Sequence, residues 1–348
     1  MSVTLKDIAR LAGVSESTVS LALNGKNIVK AKTKEHILAI AEEQGYMPNV
    51  LAKSLARRQS GTIGLVVPDI ENPFYGRFIR CVDDCLAKRN YTLLVATSKD
   101  QFAGEKRVVE TFIAERVEGI LIAPVHHPVK NIEYLSKLTR NGIPFLYVVA
   151  YYADLAAPCV MTDLEKGAFE MTDYLIRSGH RSLYYLVGNR EAVPTQLRIK
   201  GYYQAFAAHH LPVDENKLIQ CAKADFTHAY QATRKLLAAA TEADAILTMN
   251  DIMALGALRA LLEKNIPVPD RISLAGYDNV VFSSVAAIPV TTVEQNLPVM
   301  AETAVKSLFQ LIGGETLPAK PLLLPPKLII RESTKSKQEN KKIQEDVK

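Results

Sequence analysis

From Thr62 onward, short Val-, Ile- and Leu-rich runs alternate with amphipathic stretches, and this rhythm constrains the fold more than any other feature. TIGLVVP, YTLLVAT, VEGILIAP and IPFLYVV follow one another at intervals of about 25 to 30 residues, with helical patterns such as FYGRFIRCVDDCLAKRN and GEKRVVETFIAER between them. Apolar strands without a polar face, alternating with helices, demand a parallel sheet covered on both sides. The rhythm restarts after residue 160 with SLYYLVG, KLIQC, DAILTMN and RISLAGYD. The expectation is an α/β core, 61–333, of two doubly wound parallel-sheet subdomains. The first takes 61–160 and 292–320, the second 161–291 and 321–333, with crossings near 158–163 and 288–293. LLLPPKLIIRES reads as short strands confined to sheet edges by the double proline. The polar tail, 334–348, reads as disordered.

Composition sets outer limits. At 48% hydrophobic and 23% charged, 348 residues suit a globular protein of two or three domains. Four cysteines are too few for a small disulfide framework, which points to a reducing compartment. No apolar run is long enough to span a membrane, and MSVTLKDIARLAG has no signal-peptide core, so the expected location is the cytoplasm. Charge is unevenly spread. Residues 1–60 hold nine Lys and Arg against five Asp and Glu, a net +4, and the total of +5 leaves the rest only +1. A basic end on a near-neutral body points to nucleic acid.

Residues 1–46 read as three short helices. Thr4 caps LKDIARLAG, Gly13-Val14 breaks it, Ser15 caps a second helix over 16–23, and Asn24-Gly25 turns the chain. Thr33 is expected to cap the third, with Ile37, Ile40 and Ala41 inward. Helix, tight turn, capped helix and a small Ala9 at the crossing form a helix-turn-helix, whose second helix enters the DNA major groove. An ordinary helical hairpin is the plainer alternative. Residues 47–60 cannot form a core of their own and read as a linker that becomes helical against a partner.

TLKDIARLAGVSESTVSLALN, followed by TKEHILAIAEEQGYMPNVLAKSLA and TIGLVVPDIENPFY, resembles the lactose-repressor/galactose-repressor family of bacterial transcription regulators. The likeness continues through SGHRSLYYLVG, Arg198 to Tyr202, MNDIMALGALRAL, VPDRISLAGYDN and TTVEQN, as far as Arg331. It implies a core like that of periplasmic binding proteins, and a homodimer reading a pseudo-palindromic double-stranded operator. Glu16, Ser17 and Leu21 would read bases, while Thr4, Ser15, Thr18, Ser20 and Asn24 would contact phosphates or cap helices. In the implied hinge helix Asn49 is the cap, Ala52 allows close minor-groove approach and Leu55 is an intercalating wedge. Lys53 and Arg57 lie beside the backbone.

In such cores a small effector binds between the two halves, beside the strand C-termini. The resemblance puts contacts at Asn72, Phe74, Tyr75, Arg198, Phe226, Asn250, Asp278 and Gln295. Aromatic faces with directional polar groups suit a carbohydrate. Phe74 reads equally as core, and Asp251 as a helix cap. Val148-Val149-Ala150 stands where relatives carry acidic and polar side chains, and Ala192 and Pro194 lack the polar groups of purine-binding relatives. Tyr151-Tyr152 is placed to intrude from its loop. His126-His127 and His209-His210 lack metal-site spacing, and Cys81 with Cys85 reads as packing. No P-loop, dinucleotide turn or nucleophile elbow occurs, so neither an enzyme nor a cofactor or metal is expected. The sequence therefore reads as an effector-controlled repressor. The rival is a sugar-binding receptor with no DNA role.

Overall fold

The computed structural model describes residues 3–23, 28–46, 60–126, 132–239 and 242–335, and the chain divides into two compact units, Met1–Ser60 and Gly61–Lys348. In the first, α1 spans Leu5–Ala12, α2 Glu16–Leu23 and α3 Ala31–Glu43. Thr4 and Asp7 form a reciprocal capping box: Thr4 Oγ1 accepts from the Asp7 amide at 3.3 Å, and the Asp7 carboxylate accepts from the Thr4 amide at 3.0 Å. The Thr4 hydroxyl, which donates to the same carboxylate at 2.6 Å, and the Thr4 amide hold the Asp7 carboxyl below its ordinary range. Gly13, at φ 64, ends α1 in the left-handed conformation that glycine adopts without strain. Ile8, Val19 and Ile37 fill the centre, and Ala9, Ala22 and Ala41 let the helices approach. Thr33 is not the α3 cap. The Lys34 amide already donates to the Lys30 carbonyl, so the helical ladder begins earlier and Thr33 lies within its first turn.

In the second unit β1 (Thr62–Val67), β2 (Thr92–Thr97), β3 (Gly119–Ile122), β4 (Phe145–Val148), β5 (Cys159–Thr162) and β11 (Pro321–Leu324) form one parallel sheet, in the order β11-β5-β4-β3-β1-β2. Alternation along β1 sends Ile63, Leu65 and Val67 to one face, against α4 (Pro73–Ala87) and α12 (Leu297–Ile312). Val66 goes to the other face, against α5 (Phe102–Ala114) and α6 (Glu133–Arg140). Helices therefore cover both sides, which is why these strands carry no polar alternation.

The second parallel sheet has the order β7-β6-β8-β9, from β6 (Leu183–Val187), β7 (Leu218–Gln220), β8 (Ala245–Thr248) and β9 (Ser273–Ala275). Its helices are α7 (Leu164–Arg177), α8 (Val193–Ala208), α9 (Phe226–Ala238) and α10 (Asp251–Glu263). They pack in two close pairs, each needing a glycine. A Cβ on Gly201 of α8 would come within 2.1 Å of the Glu165 carbonyl of α7, and one on Gly256 of α10 within 2.3 Å of the Phe226 carbonyl of α9. α11 (Val281–Ser284) follows β9.

The chain passes between the halves at Asp163, again after β10 (Thr292–Glu294), and a third time before β12 (Lys327–Ile329). The crossings are stitched together. The Asp163 amide donates to the Leu324 carbonyl at 2.8 Å, the Thr162 hydroxyl to the Gln295 carbonyl at 3.1 Å, and β10 pairs antiparallel with β12. Two expectations change here. Residues 321–324 were assigned to the second half, but β11 pairs with β5 as the edge strand of the first sheet, and the chain returns only at Pro325-Pro326. The tail begins later than residue 334. Thr334 is buried against Thr291 and Tyr174, and Lys335 pairs with Asp270. Residues 336–348 lie outside the described residues.

Candidate functional site

The start of α2 concentrates exposed hydroxyls. Ser15 Oγ accepts from the Thr18 amide at 3.2 Å, capping the helix, and lies 2.7 Å from Ser17 Oγ and 2.8 Å from Thr18 Oγ1. Glu16 and Ser17 are exposed, Thr18, Ser20 and Leu21 half-buried, and Val19 and Ala22 are turned into the core. One helix thus holds the unit together and presents a polar face. Lys6, Arg10, Lys30 and Lys32 are exposed elsewhere on the unit, and Thr4 is committed to its cap. Asn24, Asn49, Ala52, Lys53, Leu55 and Arg57 lie outside the described residues.

In the second unit Arg198, Asp278 and Gln295 come together, from α8, the turn after β9 and the second crossing. The Arg198 guanidinium lies 3.9 Å from the Asp278 carboxylate and 4.3 Å from the centre of the Tyr277 ring. Gln295 Nε2 donates to Asp278 at 2.6 Å. All three are buried, yet Arg198 Nε, Gln295 Oε1 and the Tyr277 hydroxyl have no hydrogen-bond partner among the described residues. Burial lifts the Asp278 carboxyl to about 7, against the opposing pull of the Arg198 charge. Its backbone is at φ 105, a strained conformation for a non-glycine residue. Tyr75, from the first half, is also buried, and burial pushes its hydroxyl well above the ordinary tyrosine range.

Asp251 holds that turn in place. It is the first residue of α10, and Asn250 is the cap. The Asp251 carboxylate accepts from the Val280 amide at 2.8 Å and the Thr292 hydroxyl at 2.6 Å, and its amide donates to the Tyr277 carbonyl at 2.7 Å. A Cβ at Gly276 would strike the same carboxylate at 2.2 Å, so only glycine fits between. Burial raises the Asp251 carboxyl to about 6.

The other expected contacts have partners of their own. Asn250 Oδ1 accepts from the Met253 amide, capping α10, and its Nδ2 donates to the Ala224 carbonyl. Asn72 Oδ1 caps α4 by accepting from the Phe74 amide at 3.0 Å. Phe74 is core, edge-on to Tyr75 at 5.2 Å, and Phe226 is 42% exposed and stacks on Tyr230 of its own helix. Asp251, read from the sequence equally as a pocket residue and as a helix cap, instead holds the turn, and Tyr277 was not named from the sequence. The only signal for Tyr277 was its place beside Asp278.

A second buried acid lies in the first half. Glu105 of α5 is fully buried and accepts from the Tyr134 hydroxyl, the Tyr152 hydroxyl at 2.9 Å and the Val125 amide at 3.0 Å. Burial raises its carboxyl above the ordinary range, and the three donors oppose that. Tyr152 therefore points inward to tie the segment after β4 to α5, rather than intruding from its loop. Just before it Val149 sits at φ 69, with the Ala150 amide donating to the Val148 carbonyl at 2.7 Å, a strained three-residue turn for a β-branched side chain.

Elsewhere, a cavity of about 850 Å³ between α7, the end of α8 and β12 is lined by carboxylates and guanidiniums in balance. One of about 220 Å³ opens between α5 and α6. His126 pairs with Asp100 at 3.0 Å and His209 with Asp173 at 2.7 Å. Among the described residues no cluster of His, Cys, Asp and Glu is placed to hold a metal, and no helix is long and apolar enough to cross a membrane.

Residues 4–49 match the model of bacterial regulatory proteins of the lacI family, and residues 172–334 that of the periplasmic binding protein-like domain. The regulator reg1 of Streptomyces lividans is 30% identical over 97% of this chain and 98% of its own. The chain belongs to the LacI family. This regulator is also 30% identical to the ribose operon repressor of Escherichia coli strain K12, over 95% of the chain and 99% of that protein. The lac repressor dimer bound to operator and the anti-inducer ONPF superposes with a TM-score of 0.85 at 27% identity, covering 96% of this regulator and 99% of that chain. The regulator is therefore a DNA-binding transcription factor with a binding-protein-like core, and its relatives are regulators rather than enzymes.

Proposed function

We propose that this regulator is a cytoplasmic, non-enzymatic repressor. It binds a pseudo-palindromic operator as a homodimer and responds to a small carbohydrate held beside Arg198, Asp278 and Gln295. The observation that carries the ligand reading is the unspent bonding capacity there. Arg198 Nε and Gln295 Oε1 are buried without partners beside a carboxylate lifted to about 7. Unpaired buried polar atoms cost about 1–3 kcal/mol each, so a ligand that pairs them recovers that energy, and an analogue lacking the hydroxyl does not. The ribose operon controlled by one relative agrees with a carbohydrate, and Ala192 and Pro194 offer no polar group to a nucleobase. A receptor with no DNA role is set aside by the match over residues 4–49.

On the DNA side, Glu16, Ser17 and Leu21 are proposed to read bases and Ser15, Thr18 and Ser20 to contact phosphates, since the first two face solvent at the start of α2. Residues 1–46 would be the reading head, 47–60 the hinge and 61–333 the core, with β11 counted in the first subdomain. Binding that differs between two arrangements of the core halves is what would transmit the signal.

A thermal-shift screen of the full chain against monosaccharides, disaccharides, sugar phosphates, nucleosides and purines tests the ligand. At a hundredfold excess over the dissociation constant the bound form gains about 2.7 kcal/mol. A sugar response abolished by Asp278→Ala supports the proposal. A response to a purine alone, or a sugar response that survives the substitution, rejects it.

A further inference from the structure

The cavity of about 220 Å³ between α5 and α6 is lined by Phe102, Lys106, Glu133, Tyr134, Lys137 and Arg140. Three cations and one carboxylate make it a positive spot on a body whose 288 residues after Ser60 carry only +1 in total. Lys137 is engaged with Glu110 at 2.7 Å. Among the described residues Lys106 and Arg140 have neither an ion pair nor a side-chain hydrogen bond, and both are exposed at the cavity. The floor is aromatic: Phe102 meets Tyr134 edge to face at 5.4 Å, and Tyr134 is buried with its hydroxyl turned inward to Glu105. A floor with its polar end already bonded offers only ring surface to a ligand.

We propose that this cavity is a second ligand site that takes a small phosphate monoester, the phosphate between Lys106 and Arg140 and the organic part on the rings of Phe102 and Tyr134. The volume equals about seven waters at their share of the liquid, room for a short phosphorylated polyol and little more. Guanidinium and ammonium together suit a dianion, which a neutral sugar is not. The larger cavity, with carboxylates and cations in balance, selects no such class. The proposal is independent of the ligand at Arg198.

The test is calorimetric titration of the full chain with glycerol 3-phosphate, inorganic phosphate and glycerol. Binding of the ester should weaken about tenfold or more in the Lys106→Ala, Arg140→Ala double variant and be unchanged in Arg198→Ala. Both altered residues are on the surface, so the double variant keeps the fold. The chain has no tryptophan, and Phe102→Trp therefore supplies a single emitter at the cavity whose spectrum should shift with the ester alone. No binding of the ester at about 10 mM overturns the proposal. So does binding lost in Arg198→Ala but kept in the double variant, which would put the anion in the other site. Glycerol binding as tightly as the ester removes the role of charge. Inorganic phosphate doing so removes the role of the rings.

Discussion

Glu105 and Asp278 are both buried carboxyls, one in each half of the core, and burial raises both above the ordinary range. Glu105 accepts from three donors on three separate segments and forms no ion pair among the described residues. Among the described residues the Asp278 carboxylate accepts one hydrogen bond, from Gln295, with a guanidinium at 3.9 Å and neighbours that have unspent donors and acceptors. A buried acid whose lone pairs are filled by its own chain is architecture. One left under-bonded among other under-bonded groups is a place for something else to bind. Burial alone does not separate the two cases; counting the partners does.

The largest effect that would break this contrast is at Glu105. Glu105→Ala strands the Tyr134 and Tyr152 hydroxyls as buried donors, while the Val125 amide keeps the Tyr152 oxygen at 3.1 Å, and should cost about 2–4 kcal/mol in urea denaturation. A loss below about 1 kcal/mol would mean that the three bonds are dispensable, and the contrast fails. Asp251→Asn comes next. An amide has one acceptor oxygen where the carboxylate serves both the Val280 amide and the Thr292 hydroxyl, so about 1–3 kcal/mol should be lost. Carbohydrate affinity should fall with it, because the turn carrying Asp278 loosens. Unchanged stability would show that Asp251 does not clamp that turn.

The third effect is a change of slope with pH. The folded state holds the Asp278 proton up to about 7, whereas the unfolded chain releases it near 4. The stabilisation is thus complete below the unfolded value and is lost as pH rises through about 7. Asp278→Asn removes that loss, so its melting temperature should gain on the parent between pH 5 and pH 7.5, as about two to three units of titration are traversed. Parallel curves would show that burial does not penalise the charged form.

Much of this was legible in the sequence. The strand and helix rhythm gives both sheets because strands covered on two faces have no polar alternation. The capped α2 was readable because Ser15 and Gly13 have few other uses at that spacing. Arg198, Asp278 and Gln295 were named beforehand, and the structure brings them within contact. What was not legible depends on distant partners. Glu105 sits in GEKRVVETFIAER, where a glutamate looks like any solvated helical charge, and only tertiary contact with Tyr134, Tyr152 and Val125 buries it. The edge pairing of β11 with β5 is decided by which half the chain reaches first after α12, which local pattern does not encode.

The three crossings between the halves also have a mechanical consequence. Asp163 bonded to Leu324, Thr162 bonded to Gln295 and β10 laced to β12 make one braid rather than three separate cords. A braid bends and twists but does not let its two ends slide past each other, so relative motion of the halves reduces to rotation about it. Gln295 is part of the braid and its side chain grips Asp278. A molecule that engages that pair pushes beside the pivot, where a displacement of a fraction of an ångström becomes a far larger swing at the distant rims.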